Sequence, residues 1–216
     1  MTDQSAETKG SQTRRAILHS AIARFGRDGF RSTSVADIAR DASVGGTVAY
    51  AYFPSKEALF LAAVDEDAAG VIHEGLVSVM DDPSILNWRD TLIFTLVGAV
   101  ERHPLARRLL AGLEPDVTVR VLEIPALTEL RKACTERLRS EQAAGTVRPD
   151  IDPVAIGNGV VALMLSMLMS VVQLGSQAAV SYSSDVASVF EAALRSTPFH
   201  CPNCSDPTEA VETGST

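Results

Sequence analysis

The sequence TSVADIARDASVGGTVAYAYFPSK, residues 33–56, predicts two short helices joined by a tight turn. Ser34 is a residue type that caps helix N-termini, and Asp37 follows three residues later as an aspartate version of the capping box. Gly45 and Gly46 would allow a sharp backbone turn after the first helix, because glycine has no Cβ to restrict its dihedral angles. The stretch therefore predicts one helix that begins after Ser34 and a second helix directly behind it.

The second helix, predicted over residues 47–53, is too short to be stable alone. Pro54 would end it, and Ser55 is expected to cap a third helix. Two short helices joined by a turn of three or four residues form a helix-turn-helix, whose second helix lies in the DNA major groove. Hydroxyls and cations around this helix are suited to phosphate oxygens, and small residues would allow close approach to bases. The candidate DNA-binding residues are Arg14, Ser34, Gly46, Thr47, Tyr50, Tyr52 and Lys56.

Residues 13–60 resemble the DNA-binding domain of the tetracycline-repressor (TetR) family. The resemblance rests on RRAILHSAIARFGRDGF, STSVADIA and YAYFPSKEALF, in this order. The family usually has Gly-Val-Ser-x-Gly-Thr-Leu-Tyr where residues 43–50 of this chain are SVGGTVAY, so that the threonine lies one position out. Which of residues 46–48 faces a base is therefore left open. The resemblance implies an all-α fold, with an N-terminal three-helix helix-turn-helix domain and a C-terminal helical domain for ligand binding and dimerisation.

Composition and charge agree with a DNA-binding protein whose positive charge is confined to one end. The 216 residues are 46% hydrophobic and 21% charged, with three cysteines and a net charge of −8. Residues 1–56 contain eight basic and five acidic residues, a net charge of +3, whereas residues 57–216 have a net charge of −11. The N-terminal part would thus meet phosphate while the acidic part is held away from it. No signal peptide is evident and an odd cysteine count argues against a disulfide scaffold, so we expect a cytoplasmic protein.

The chain is predicted to divide into four parts: a disordered arm (1–12), the helix-turn-helix domain (13–60), an effector-binding and dimerisation domain (61–196) and a disordered tail (197–216). The first helix is expected to end at Gly29, and a long helix after Ser55 could bend at Gly70 or Gly75. In the tail, His200, Cys201 and Cys204 could supply three ligands to a metal, but a closed zinc site needs four. We therefore expect an unstructured tail, with no metal and no cofactor.

Residues 151–174 are the most apolar stretch and raise the alternative of a membrane span. Asn158, Ser166 and Ser170 within the stretch, and the absence of a basic anchor beside it, favour a helix buried between its own domain and a partner subunit. Together with the predicted helix 183–196, it would form a four-helix interface in a homodimer. The candidate interface residues are Leu165, Leu168, Val172, Val186 and Phe190.

An effector pocket is expected among the helices between about residues 88 and 169, with a methionine-rich lining that would suit a hydrophobic or amphipathic molecule. Its candidate residues are Trp88, Leu92, Met164 and Met167; the methionines could equally be core or interface residues. The favoured function is a dimeric, sequence-specific repressor of a palindromic operator, released by this effector. A ligand-independent DNA-binding protein and an all-helical enzyme are the alternatives. The enzyme is disfavoured, because no nucleophile, phosphate-loop or metal motif is present and the four histidines have no catalytic spacing.

Overall fold

The computed structural model describes residues 8–80, 88–118, 123–175, 185–186 and 188–194. Within these residues the regular secondary structure is helical, which confirms the all-α prediction. The helices are α1 (Lys9–Ser32), α2 (Val35–Asp41), α3 (Gly46–Tyr52), α4 (Lys56–Met80), α5 (Trp88–Val100), α6 (Pro104–Leu110), α7 (Pro115–Thr118), α8 (Pro125–Ala143) and α9 (Pro153–Leu174). Residues 185–186 and 188–194 are helical as well. The predicted tail and its cysteine pair lie outside the described residues.

Helix α1 begins earlier than its apolar pattern predicts. The side chain of Thr8 caps it by accepting a hydrogen bond from the backbone N–H of Ser11 at 3.2 Å. Residues 9–12, predicted to belong to the disordered arm, are therefore helical, and residues 1–7 lie outside the described part. Gly29 interrupts the helix with a φ of 81°, as expected for a helix-ending glycine.

The turn between α2 and α3 does not use its glycines in the predicted way. Ser43 is the residue with a positive φ, 56°, whereas Gly45 has an extended conformation and serves as the N-cap of α3. The backbone N–H of Ser43 donates to Arg40 O and that of Val44 donates to Ala39 O, at 3.0 and 2.9 Å. This is the Schellman pattern, in which the left-handed position is usually glycine.

Two hydrophobic cores lie at opposite ends of α4. The first core holds α1, α2 and α3 together and extends into the first turns of α4. Its residues are Ile17, Leu18, Ala21, Phe25, Val35, Ile38, Ala39, Ala49, Phe53, Leu59, Phe60, Ala63, Val64, Leu105 and Leu109. The last two come from α6, far along the chain. The second core joins the remainder of α4 to α5, α6, α8 and α9.

The glycines of α4 allow close packing between helices. A Cβ on Gly70 would overlap the imidazole of His103, and a Cβ on Gly75 would lie 2.7 Å from Cδ2 of Leu96. Both positions therefore need glycine because a neighbouring side chain occupies the space.

Helix α9 is only partly covered by the rest of the chain. An 18-residue window of it has a mean hydropathy of 2.0, which makes it the one helix among the described residues with the length and apolarity to cross a membrane. Only 28% of that window is buried, although the helix packs against α8, α5 and α6. One apolar face of α9 thus remains exposed in a single chain.

Candidate nucleic-acid interface

Helix α3 is anchored through one side and exposed on the other. Ala49 is fully buried in the first core and Phe53, directly after the helix, is almost so. Thr47 lies on the surface, and 39% of Val48 and 53% of Tyr50 is exposed. The helix is therefore held rigidly by its inner face while its outer face is free to meet a duplex.

The start of α2 has the cap that its sequence predicts. Ser34 Oγ accepts a hydrogen bond from the backbone N–H of Asp37 at 3.1 Å and donates to Asp37 Oδ2 at 2.6 Å. The hydrogen bond from Ser34 lowers the pKa of the Asp37 carboxyl, with nearby arginines adding to the effect. The Ser34 hydroxyl thus already has an intramolecular role at the position predicted for phosphate contact.

Two cations predicted to contact phosphate lie beside aromatic rings of the first core. Lys56 Nζ is 4.4 Å from the ring centroid of Phe30 and 3.5 Å from the carbonyl oxygen of Arg31. Arg14, on the exposed side of α1, has its guanidinium carbon 5.2 Å from the ring centroid of Phe53. These contacts place Arg14 beside the C-terminal end of α3 and Lys56 beside the end of α1.

The two tyrosines of α3 have different surroundings. Tyr50 points to solvent, whereas Tyr52 is half-buried and packs against the first core. The Tyr52 hydroxyl lies beside the N-terminal turn of α1, where a Cβ on Gly10 would be 3.4 Å away. The structure therefore places Gly46, Thr47 and Tyr50 on the open face of α3, with Tyr52 at its edge.

Other basic residues of this region are bound by carboxylates and hold the helices together. Arg24 on α1 donates through Nε and Nη2 to Asp41 at the end of α2, at 2.5 and 3.1 Å. This hydrogen bonding lowers the pKa of Asp41 and raises that of Arg24. Arg27 binds Asp28 in the same bidentate manner. The Arg24–Asp41 pair joins α1 to α2, and both pairs reduce the positive charge available to DNA.

Comparison with known proteins agrees with this geometry. The model of the family described as "Bacterial regulatory proteins, tetR family" matches residues 17–63. Residues 17–63 are a TetR-family DNA-binding domain. No curated protein matches the chain by sequence.

Solved structures match this chain over most of its length. The transcriptional regulator of the TetR family from Cytophaga hutchinsonii has a TM-score of 0.67 at 19% identity, over 88% of this chain and 98% of the other. A TetR transcriptional regulator from Chloroflexus aurantiacus has a TM-score of 0.62 at 24% identity, covering 88% and 99%. GusR from Salmonella enterica has a TM-score of 0.61 at 24% identity, covering 87% and 97%. These likenesses show the fold, an N-terminal helix-turn-helix with a C-terminal helical domain.

The second core contains an apolar cavity between α4, α6, α8 and α9. Its volume is about 50 Å³. The lining consists entirely of alanine, valine, isoleucine, leucine and methionine side chains: Ala68, Val71, Ile72, Leu96, Ala106, Leu109, Leu110, Ile124, Leu127, Leu130, Val161, Met164, Leu165 and Leu168. Among the described residues, no charged or hydroxyl-bearing side chain contributes to it.

The residues predicted for an effector pocket are only partly at this cavity. Met164 lines it, whereas Trp88 and Leu92 are fully buried core residues away from it. Trp88 Nε1 donates to Glu141 Oε1 at 2.8 Å, which fixes the ring within the second core. Met167 is half-buried against the same core but is not part of the lining. The apolar residues Trp88 and Leu92 of α5 therefore belong to the filled core, and the cavity lies nearer to α6.

Hydrogen bonds connect α6 and the turn after it to α4 and to α1. Asp67 on α4 accepts hydrogen bonds from the backbone N–H groups of Leu105 and Ala106, at 2.9 and 2.8 Å. At the other end, Glu114 Oε1 accepts from the backbone N–H of Phe30 at 3.1 Å and from Arg108 Nε at 2.7 Å. The contacts of Asp67 with α6 and of Glu114 with Phe30 join residues far apart in the chain, so no sequence pattern predicts them.

His103 precedes α6 and lies between two carboxylates of α4. Its Nδ1 is 2.9 Å from Asp67 Oδ1 and its Nε2 is 3.3 Å from Glu74 Oε1. Arg102 also binds Glu74, and this bond, more than the one to His103, lowers the pKa of the Glu74 carboxyl. The group forms a polar junction between α4 and α6. Elsewhere in the described residues, burial raises the pKa of the Cys134 thiol to about 12.

The predicted dimer-interface residues differ in their exposure. Leu168 is buried within the chain and lines the cavity with Leu165, so Leu168 does not face a partner in this conformation. Val172, Val186 and Phe190 are half-buried and remain available. The more exposed apolar residues of this surface are Val154, Leu163, Leu174 and Val189.

Proposed function

We propose that this TetR-family protein is a dimeric, sequence-specific transcriptional repressor that a small apolar effector releases from DNA in the cytoplasm. The observation that supports DNA recognition most strongly is the outward face of α3. Its inner residue Ala49 is fully buried, while Thr47 and Tyr50 are exposed. Arg14 lies beside Phe53, the residue that follows the helix, and Lys56 comes three residues later. A helix of this size with cations near its C-terminal end fits the major groove and the phosphates beside it.

Dimerisation is supported by the uncovered face of α9. A helix with this hydropathy exposes apolar surface that a soluble protein usually buries against a partner. Association of two α9 helices with the helical residues 188–194 of both chains would create a two-fold axis and present two copies of α3. Two such helices would recognise palindromic half-sites separated by roughly 34–36 Å, one turn of DNA.

Effector control is supported by the position of the cavity. It contacts α4, which continues from the DNA-binding domain, and α6, whose Leu109 belongs to both the first core and the cavity lining. The cavity of about 50 Å³ is smaller than the roughly 300–1,000 Å³ of ligand pockets. An effector would therefore have to separate the helices around it, and this displacement would move α4 and α6. A differential affinity of about 100-fold, or about 2.7 kcal/mol, between the two states would control DNA binding.

The test measures binding by fluorescence anisotropy between the full-length protein and duplexes selected from a random pool. We expect a selected palindromic duplex to bind at least 10³-fold more tightly than an unrelated one at the same salt concentration. Replacing Lys56 by alanine should weaken binding to every sequence and reduce the slope of log K against log salt by about 2 per dimer. The control is Lys132→Ala, which removes an exposed lysine of α8 that pairs with Glu129.

The second arm adds apolar metabolite extract to the preformed complex. Effector control would be supported if the apolar extract released the selected duplex and a polar extract did not. Specific binding that no extract reverses would instead favour a ligand-independent DNA-binding protein. Equal affinity for selected and unrelated duplexes, or a monomer at micromolar concentration in sedimentation, would contradict the proposed repressor.

A further inference from the structure

The outer face of α3 has few groups that can hydrogen-bond to base edges. The helix sequence is GTVAYAY, which contains no arginine, lysine, asparagine or glutamine. Those four side chains make the bidentate contacts to guanine and adenine that dominate direct readout in the major groove. On α3 only the hydroxyls of Thr47 and Tyr50 are exposed hydrogen-bonding side-chain groups. Discrimination between bases must therefore use other contacts as well.

Val48 supplies an apolar contact surface at the same place. It is 39% exposed although its neighbour Ala49 is fully buried, so the valine lies outside the first core. The two preceding glycines leave room around it. Gly45 is the N-cap, where an added Cβ would be 3.8 Å from Val48 Cγ2, and a Cβ on Gly46 would have no atom within 4 Å. No long side chain near the start of α3 would keep this methyl-bearing surface away from the floor of a groove.

Only one base presents an apolar group in the major groove, which is the C5 methyl of thymine. We propose that Val48 is a specificity-determining residue that contacts a thymine methyl in each half of the operator. This inference rests on the proposed function, since it assumes that α3 enters the major groove. The operator would then need thymine at one fixed position per half-site, and cytosine or uracil there would weaken binding because neither has the methyl group.

The experiment uses the selected duplex and replaces its thymines by uracil, one symmetric pair of positions at a time. Uracil keeps every hydrogen-bonding group of thymine and removes only the methyl. Wild-type protein should lose about four-fold in affinity per half-site at the position facing Val48, as expected for one buried methyl, and about fifteen-fold for the symmetric pair. Val48→Ala should bind the thymine duplex more weakly and lose most of this dependence on the methyl group.

Val77→Ala is the matched control, because Val77 is another exposed valine, 42% accessible, on α4 and outside the helix-turn-helix. This variant should keep the full sensitivity to uracil. Circular dichroism would verify that both variants remain folded. A failure to select any sequence would contradict the proposed function itself. Specific binding with no loss at any uracil position, or an equal loss in Val48→Ala and wild type, would overturn the role of Val48 alone.

Discussion

Asp67 is expected to be the polar residue whose removal destabilises the protein most among those described here, because it is buried and satisfies two backbone groups. Its side chain is 5% exposed. One carboxylate oxygen accepts from the N–H groups of Leu105 and Ala106, and the other lies 2.9 Å from Nδ1 of His103. Replacement by alanine would leave two N–H groups at the start of α6 without a partner in an enclosed site.

Each buried unsatisfied group costs about 1–3 kcal/mol, so Asp67→Ala should lower the free energy of unfolding by about 3 kcal/mol. Asp67→Asn retains one oxygen that can accept from the same N–H groups, and we expect a loss of about 1–2 kcal/mol. Equilibrium unfolding in urea at pH 7, followed by circular dichroism at one fixed protein concentration, measures both values. The concentration must be fixed because dimerisation contributes to apparent stability.

Glu66→Gln is the control, since Glu66 is the exposed neighbour of Asp67 on α4. An exposed substitution of this kind should change stability by less than about 0.5 kcal/mol. If Asp67→Ala stayed within 1 kcal/mol of wild type, the two backbone groups would have found other partners. The junction between α4 and α6 would then be weaker than its distances indicate.

Three further substitutions test local features. Ser43→Gly should raise the free energy of unfolding by about 1 kcal/mol in urea titrations, because glycine adopts a positive φ without the cost to an L-residue; a decrease would contradict the Schellman assignment. Gly70→Ala should lower it by about 1–3 kcal/mol through overlap with His103, whereas Gly98→Ala, with open space beside it, should not; equal effects would remove the packing explanation. Asp41→Asn should lower the melting temperature at pH 7, since the arginine on α1 depresses the pKa of Asp41. A carboxyl with a depressed pKa contributes stability that is fully present above its unfolded pKa of about 3.9 and is lost as the pH falls through the lower pKa of the folded state. The difference should therefore shrink as the pH falls below about 3.9; a difference that does not change with pH in this range would exclude this origin.

Local features of the DNA-binding domain could be predicted well from sequence. The Ser34 cap, the ends of α3 and the positive φ of Gly29 all depend on residues within one helical turn of each other. The turn at Ser43 could not be predicted in this way, because two nearby glycines were the more favourable candidates for a left-handed residue. The structure instead uses one of them, Gly45, in an extended conformation as an N-cap.

Features that depend on distant residues could not be assigned. The contact between Glu114 and Phe30 joins positions 84 residues apart, and no periodic pattern indicates it. Apolar spacing likewise identifies Trp88 and Leu92 as inward-facing but does not distinguish a filled core from a cavity wall. Val48 illustrates the converse case, since an apolar residue within a short helix is readily assigned to the core although its side chain lies in solvent.

The two leucines that α6 adds to the first core limit where the DNA-binding domain could be separated from the rest of the chain in a designed chimera. A graft of residues 8–64 onto a foreign sensor would omit Leu105 and Leu109, both almost completely buried against α1 and α4. The transplanted portion would have an open apolar groove where those side chains belong. A working chimera would therefore need to keep α6 with the donor's N-terminal helices, or supply substitutes for both leucines from the recipient.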